Sequence, residues 1–211
     1  MTAGFYESDR NEAHLCGIVT DAPVFSHNAA EQAFFTFPIA AARLSGHQDV
    51  LNVILPSTVC PANALSGGDL IELDGTLRSR NIHDGGKYRL ILTVFAQKIA
   101  KAEQIEPYNT VFLEGSICKP PVYRVTPLGR EVCDIMLAVR RRYGRADFLP
   151  LIAWGRNAVA SRELAVGDRI RCEGRFQSRV YTKLVDGVGM ERTAYEVSVS
   201  SLERCPPPSS L

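Results

Sequence analysis

The chain repeats itself once, and that repeat constrains its fold more than any other feature. "GIVTDAPVF" (17–25) aligns with "GSICKPPVY" (115–123) at an offset of 98 residues, and "GGDLIELDGTLRSR" (67–80) aligns with "VGDRIRCEGRFQSR" (166–179) at an offset of 99. The closing stretches "YRLILTVF" (88–95) and "YEVSVSSL" (195–202) align at an offset of 107, which requires a longer preceding hairpin in the second copy. Matches in the same order, with length differences confined to turn-like stretches, mark two copies of one unit. The boundaries fall at 12–100 and 109–204, joined by the charged, proline-containing linker 101–108 and followed by a short proline-rich tail, 205–211.

Within each copy the pattern is that of short strands. Leu15, Ile18 and Val24 precede a turn-rich break, then come "FFTFPIAAAR" (34–43), "VLNVIL" (50–55) and the alternating "LIELDGTLRSR" (70–80). A single segment per copy reads as helical: "NAVASREL" (157–164), with Asn157 as its N-cap, and the shorter "TVCPANAL" (58–65). Five strands with one short helix between the third and fourth predict an all-β chain of two tandem OB-fold barrels of Greek-key order. Gly68 and Gly167 fall where those helices end, and a left-handed backbone there favours glycine. Gly75 and Gly174 interrupt strands, as at a bulge or a barrel bend.

Composition excludes several classes. No apolar run reaches the roughly 18–20 residues needed to cross a bilayer, and the polar start lacks a signal-peptide core, so a cytoplasmic protein with no membrane partner is expected. The six cysteines form no CxxC pair and the four histidines all lie in the first half, so neither a metal nor another cofactor is expected. No Ser/His/Asp set or phosphate-cradling glycine loop is evident, and the reading is of a protein without catalytic residues. The net charge of +1 hides an asymmetry: residues 1–108 carry 8 Lys+Arg against 12 Asp+Glu, residues 109–211 carry 16 against 11. An anionic polymer would favour the second half.

In that half, "AVRRRYGRADFLPLIAWGR" (138–156) interleaves cations with large rings, including the only tryptophan. One reading is an amphipathic sheet with a basic solvated face. The other is a surface that holds phosphates with arginine and stacks bases on rings.

The second copy resembles the bacterial single-stranded DNA-binding protein family through "LEGSICKPPVYRVTPLGREVCDIMLAVRRRYGR", "DFLPLIAWGRNA", "VGDRIRCEGRFQSRVYT" and "YEVSV", a pattern that spans almost all of 109–204. The first copy resembles it more weakly, mainly through "GGDLIELDGTLRSR". The resemblance implies sequence-independent binding of single-stranded DNA in replication, repair or recombination. The same stacking would serve RNA. It also implies a homodimer presenting four barrels, with replication or primosome proteins as further partners. Base-stacking positions carried over by the motif fall on Tyr143, Phe148, Trp154 and Tyr181, with phosphate contacts from Arg140, Arg141, Arg142, Arg145, Arg156, Arg171, Arg175 and Arg179. The opening of the second copy is also similar to the primosomal PriB type, which would make the chain an adaptor acting mainly through protein contacts.

Two departures shape the expectations. In the first copy Tyr181 maps to Ile82, Phe148 to Val50, and Trp154 to Leu55 or Pro56, although Arg43, Arg78 and Arg80 remain. The first barrel is therefore expected to have a degenerate DNA site and to serve mainly in pairing. The family's acidic C-terminal tip has no counterpart in "ERCPPPSSL", so recruitment of other enzymes through such a tip is not expected.

Overall fold

The computed structural model describes residues 9–84, 87–104, 108–185 and 188–206. The middle of the expected linker (105–107) and most of the expected tail (207–211) lie outside the described residues.

The first half contains β1 (Asn11–Val19), β2 (Val24–Ala29), β3 (Gln32–Ala42), β4 (Gln48–Pro56), β5 (Leu70–Asp84) and β6 (Lys87–Lys101). The second contains β7 (Asn109–Val125), β8 (Glu131–Arg140), β9 (Ala146–Trp154), helix α1 (Arg156–Ser161), β10 (Arg169–Val185) and β11 (Val188–Arg204). The long β7 corresponds to β1 and β2 together. Thr20–Pro23 breaks the first copy's strand, whereas β7 runs on through two register shifts between Ile117 and Val122.

Each half closes into a barrel. In the first, β1 pairs with β5, β5 with β6, β6 in parallel with β4, β4 with β3, and β3 back to β1. The second repeats this through β7, β10, β11, β9 and β8, the β9–β11 pair again being the parallel one. This is the five-stranded Greek-key barrel predicted from the strand pattern. Alternation directs Phe37, Leu51, Leu77 and Val94 inward in one barrel and Leu137, Leu151, Phe176 and Val197 in the other, all buried. Each such side chain contributes about 1.5–3 kcal/mol on leaving water.

Gly68 and Gly167 have φ of +92° and +95°, the left-handed region in which a Cβ is strained. Gly75 and Gly174 sit at register shifts in β5 and β10, where a Cβ would lie 2.3 Å from the Phe95 carbonyl oxygen and 2.4 Å from that of Ser198. Both pairs thus do the same work in both copies.

Three local expectations need correction. The closing strands are related by 103 residues, not 107: Val53 and Ile54 pair with Val94 and Phe95 as Leu151 and Ile152 pair with Val197 and Ser198. The second hairpin is longer, but by four residues. The first copy's helix is only a 3-10 turn, Ala62–Ala64. Asn157 does not cap α1. Gly155 occupies that position, and the Asn157 Nδ2 donates to the Ser200 carbonyl at 3.0 Å.

The two barrels join in one eleven-stranded sheet through antiparallel pairing of β1 with β7, with Asn11 opposite Leu113, Ala13 opposite Val111 and Leu15 opposite Asn109. Since 13 and 111 are themselves repeat equivalents, the register runs about a pseudo-twofold axis at that pair. Buried carboxylates follow the same symmetry. Asp49 accepts the Ser178 N–H at 2.9 Å and the Arg43 fork at 2.6 and 2.7 Å. Its equivalent Asp147 accepts the Ser79 N–H at 2.7 Å and is gripped by Arg141 and Arg78. Each aspartate reaches from its own barrel into the other, so the barrels are locked reciprocally.

Candidate nucleic-acid interface

The rings of the second barrel follow from the pleat of β9. Asp147, Leu149, Leu151 and Ala153 turn inward, which leaves Phe148 and Trp154, six residues apart, on the outer face. They are 46% and 39% exposed, far more than core rings such as Phe176. Val132 of β8 lies opposite Trp154 and Ala138 opposite Phe148.

Trp154 lines an open groove between the barrels together with Arg175, Arg179 and Tyr195, while Arg43 and Val50 form the first barrel's side. Arg175 donates from Nη2 to Gln177 at 2.9 Å, yet its Nε–H is buried with no protein partner. Burial first, and then the neighbouring Arg43 charge, hold its pKa below the usual arginine value. A guanidinium so placed remains charged, and an incoming anion would relieve both penalties. Arg179 sits 5.5 Å above the ring of Tyr181, which is 37% exposed, and its Nε lies 3.6 Å from Glu196. This side of the barrel thus combines two accessible rings with two guanidinium groups.

A second groove, related to the first by the pseudo-twofold, gathers Arg140, Arg141, Arg142 and Arg145 beside Arg10 and Arg78 of the first barrel. Asp9 and Glu12 share its lining. Arg140 pairs with Asp9 at 3.1 Å, and Arg141 is held by Asp147. Burial raises the Asp9 pKa, but the hydrogen bonds from Arg140 and Arg169 outweigh it, and the carboxyl is held below its ordinary range. Phe148 stands at this junction, its N–H donating to Ser79 Oγ at 2.7 Å. Tyr143 belongs to the 3-10 turn Arg142–Gly144, and its side chain lies outside the described residues.

The remaining two cations stand apart. Arg156 is exposed at the start of α1, two residues beyond Trp154. Arg171 pairs with Glu114 at 3.3 Å in a different depression, with Arg169 and Arg204, and none of the described rings lines it. Among the described residues no group of three or more His, Cys, Asp or Glu is arranged to hold a metal ion. Among the same described residues no helix is long and apolar enough to cross a membrane.

Sequence reasoning misses the aspartates that lock the barrels, Asp49 and Asp147, and the serines they hold. The repeat itself carries their signal, because Arg43/Arg141, Asp49/Asp147 and Ser79/Ser178 recur at the same offsets of 98 and 99. It also misses a second set of rings. In the first barrel the structural register puts Pro56, not Leu55, at the position of Trp154. Yet His27 and Phe34 are stacked with centroids 4.9 Å apart and planes 10° apart, and Phe34 lies 6.1 Å from Phe95.

Residues 108–205 match the Single-strand binding protein family. The chain is 30% identical over 159 residues to the Single-stranded DNA-binding protein of Thermus thermophilus, an alignment covering 66% of this chain and 59% of that protein. It is 35% identical over 80 residues to Single-stranded DNA-binding protein 3 of Clostridium acetobutylicum, covering 35% of this chain and 56% of that one. The chain thus spans less than two thirds of the length of these relatives. A crystal structure of a deletion mutant of the single-stranded DNA binding protein from Thermus aquaticus is similar with a TM-score of 0.75 at 26% identity, over 96% of this chain and 99% of that one. The match to the Single-strand binding protein family lies on the second barrel, and the similarity to the Thermus aquaticus structure runs across both barrels.

Proposed function

We propose that the chain binds single-stranded DNA without sequence preference, by stacking bases on exposed rings and pairing phosphates with arginine, in DNA replication, repair or recombination. The observation that carries this reading is the single groove in which Trp154 meets Arg175 and Arg179, with Tyr181 beside it. Stacking contributes about 1–3 kcal/mol per base and serves every base alike. The names of the similar proteins support the same reading.

The second barrel (109–204) is the principal site, with Tyr143 and Phe148 as further stacking residues. Arg140, Arg141, Arg142 and Arg145 guide phosphates at the far groove, and Arg156 and Arg171 are outlying contacts. The first barrel (12–100) supplies the pairing surface across the linker 101–108, with 205–211 as a tail. The protein acts in the cytoplasm without catalysing a reaction, as a homodimer with four barrels, alongside replication or primosome proteins, and the same rings accept single-stranded RNA.

Trp154 is the only indole, so titration with oligo(dT) at several salt concentrations tests the reading directly. Fluorescence quenching, with affinity that falls as salt rises, is the expected result. No quenching and no binding at low salt would overturn it.

A further inference from the structure

One carboxylate of the arginine groove sits where a phosphate would. Asp9 precedes β1 and crosses to the second barrel, and its side chain is 2% exposed. The carboxylate accepts the Arg140 backbone N–H at 2.8 Å, the Arg140 guanidinium through Nε and Nη2 at 3.3 and 3.1 Å, and Arg169 Nη2 at 2.9 Å. The Nε–Nη2 edge of an arginine is a fork that grips the oxygens of a carboxylate or a phosphate alike. Arg140 therefore lines the groove with that fork already filled. Arg142 and Arg145 beside it are exposed and have no counter-ion among the described residues.

The repeat shows this contact to be an addition to the fold. The chain enters both barrels by the same route: the Arg10 carbonyl accepts the Glu114 N–H at 2.9 Å, and its equivalent, the Tyr108 carbonyl, accepts the Cys16 N–H at 2.9 Å. Yet the counterparts of Arg140 and Arg169 are Ala42 and Leu70. Arg140 lies opposite Ala146 as Ala42 lies opposite Gln48, and Arg169 opposite Ser116 as Leu70 opposite Ile18. The first barrel thus closes without a carboxylate clasp at that corner. Asp9 also lies outside the β1–β7 ladder, which begins with Asn11 opposite Leu113. Its release breaks the ion pairs and one backbone–backbone hydrogen bond, from the Asp9 N–H to the Arg140 carbonyl at 3.1 Å, and leaves the sheet whole.

We propose that the segment carrying Asp9 is an autoinhibitory latch, its carboxylate holding the place of a phosphate on Arg140 and Arg169 until single-stranded DNA displaces it. With the latch open, Arg140 joins Arg142 and Arg145 as a run of available guanidinium groups. The proposal rests on the single-stranded DNA reading above and concerns the regulation of that site.

The test compares the unaltered chain with Asp9→Asn, Arg140→Gln and the double variant, titrated with an oligo(dT) of about 35 nucleotides to span both barrels. Asp9→Asn is expected to bind about threefold to tenfold more tightly at low salt, with a slope of log affinity against log salt steeper by about 0.7 for the phosphate gained. In the Arg140→Gln background the same substitution should give little gain. A role confined to folding would lower stability without raising affinity, and unchanged or weaker binding by Asp9→Asn overturns the proposal while leaving the single-stranded DNA reading standing. An equal gain in the Arg140→Gln background marks a general charge effect and also overturns it. Failure of the unaltered chain to bind at low salt overturns both. Should Asp9→Asn not fold, amide exchange of the unaltered chain followed by NMR decides the matter. Faster exchange of the Asp9 N–H on saturation with oligo(dT) sustains the latch, and slower or unchanged exchange overturns it.

Discussion

Asp147, wholly buried in the second barrel, accepts the backbone N–H of Ser79 in the first at 2.7 Å, and Asp49 returns the same bond to Ser178. Each carboxylate also carries its own barrel's guanidinium, Arg141 or Arg43. Replacing Asp147 by alanine strands the Ser79 N–H and frees Arg78 and Arg141 of their counter-ion. The expected loss is about 3–5 kcal/mol of unfolding free energy, measured by urea denaturation.

Asp49 also sets an acid limit. Burial raises its pKa, but the Arg43 fork and the Ser178 N–H more than offset this, so the folded-state value lies below the usual carboxylate range. Its stabilising contribution is full above the unfolded-chain value of about 3.9 and is lost as pH falls through the lower folded-state value. Denaturation midpoints followed from pH 6 downward should fall in that acid range. Asp49→Asn should be less stable at neutral pH and lose less on acidification.

Rings and cations should separate in their salt dependence. Trp154→Ala should weaken oligo(dT) binding by about 1–3 kcal/mol with the salt slope unchanged. Arg175→Gln or Arg179→Gln should make the slope of log affinity against log salt shallower by about 0.7 each. Fluorescence anisotropy at four or five salt concentrations distinguishes the two.

Gly174→Ala should destabilise the second barrel by about 1–3 kcal/mol, because the new Cβ would meet the Ser198 carbonyl oxygen at 2.4 Å and the Val197 side chain at 2.9 Å. Gly75→Ala should do the same to the first. Thermal unfolding followed by circular dichroism reports both.

Cys172 should be silent toward thiol reagents. Burial alone pushes its thiol up to about 12, leaving almost no thiolate at neutral pH. Alkylation mapped by mass spectrometry should reach Cys60 and Cys205, which are partly exposed, well before Cys172.

The barrels were legible because alternation and turn glycines are local signals, and their recurrence tied the two copies together. The last strand was not, because a strand's period of two is unchanged by an even slip. Tyr88 therefore aligns as readily with Tyr195 as with its true counterpart, Glu191. Phe148, Trp154 and Tyr181 were legible as rings among arginines, and their exposure agrees with the outer face expected of them. Asp49 and Asp147 each look like one polar residue in a strand, and only tertiary contact between barrels reveals a bond to a backbone far along the chain. The first barrel's rings escape because carrying Trp154, Phe148 and Tyr181 back by the repeat lands on Pro56, Val50 and Ile82 and passes over His27, Phe34 and Phe95.

The dyad at Ala13 and Val111 has one more consequence. In a pair of identical barrels, the two directions of a strand laid across the dyad are equivalent. Here Trp154 lines one groove while its counterpart in the first barrel is Pro56, and Arg175 lines that groove where Thr76 lines the other. Joining the barrels in a single chain let them diverge, so a strand crossing both meets different surfaces when run 5′ to 3′ and 3′ to 5′. The molecule has a polarity built into its architecture.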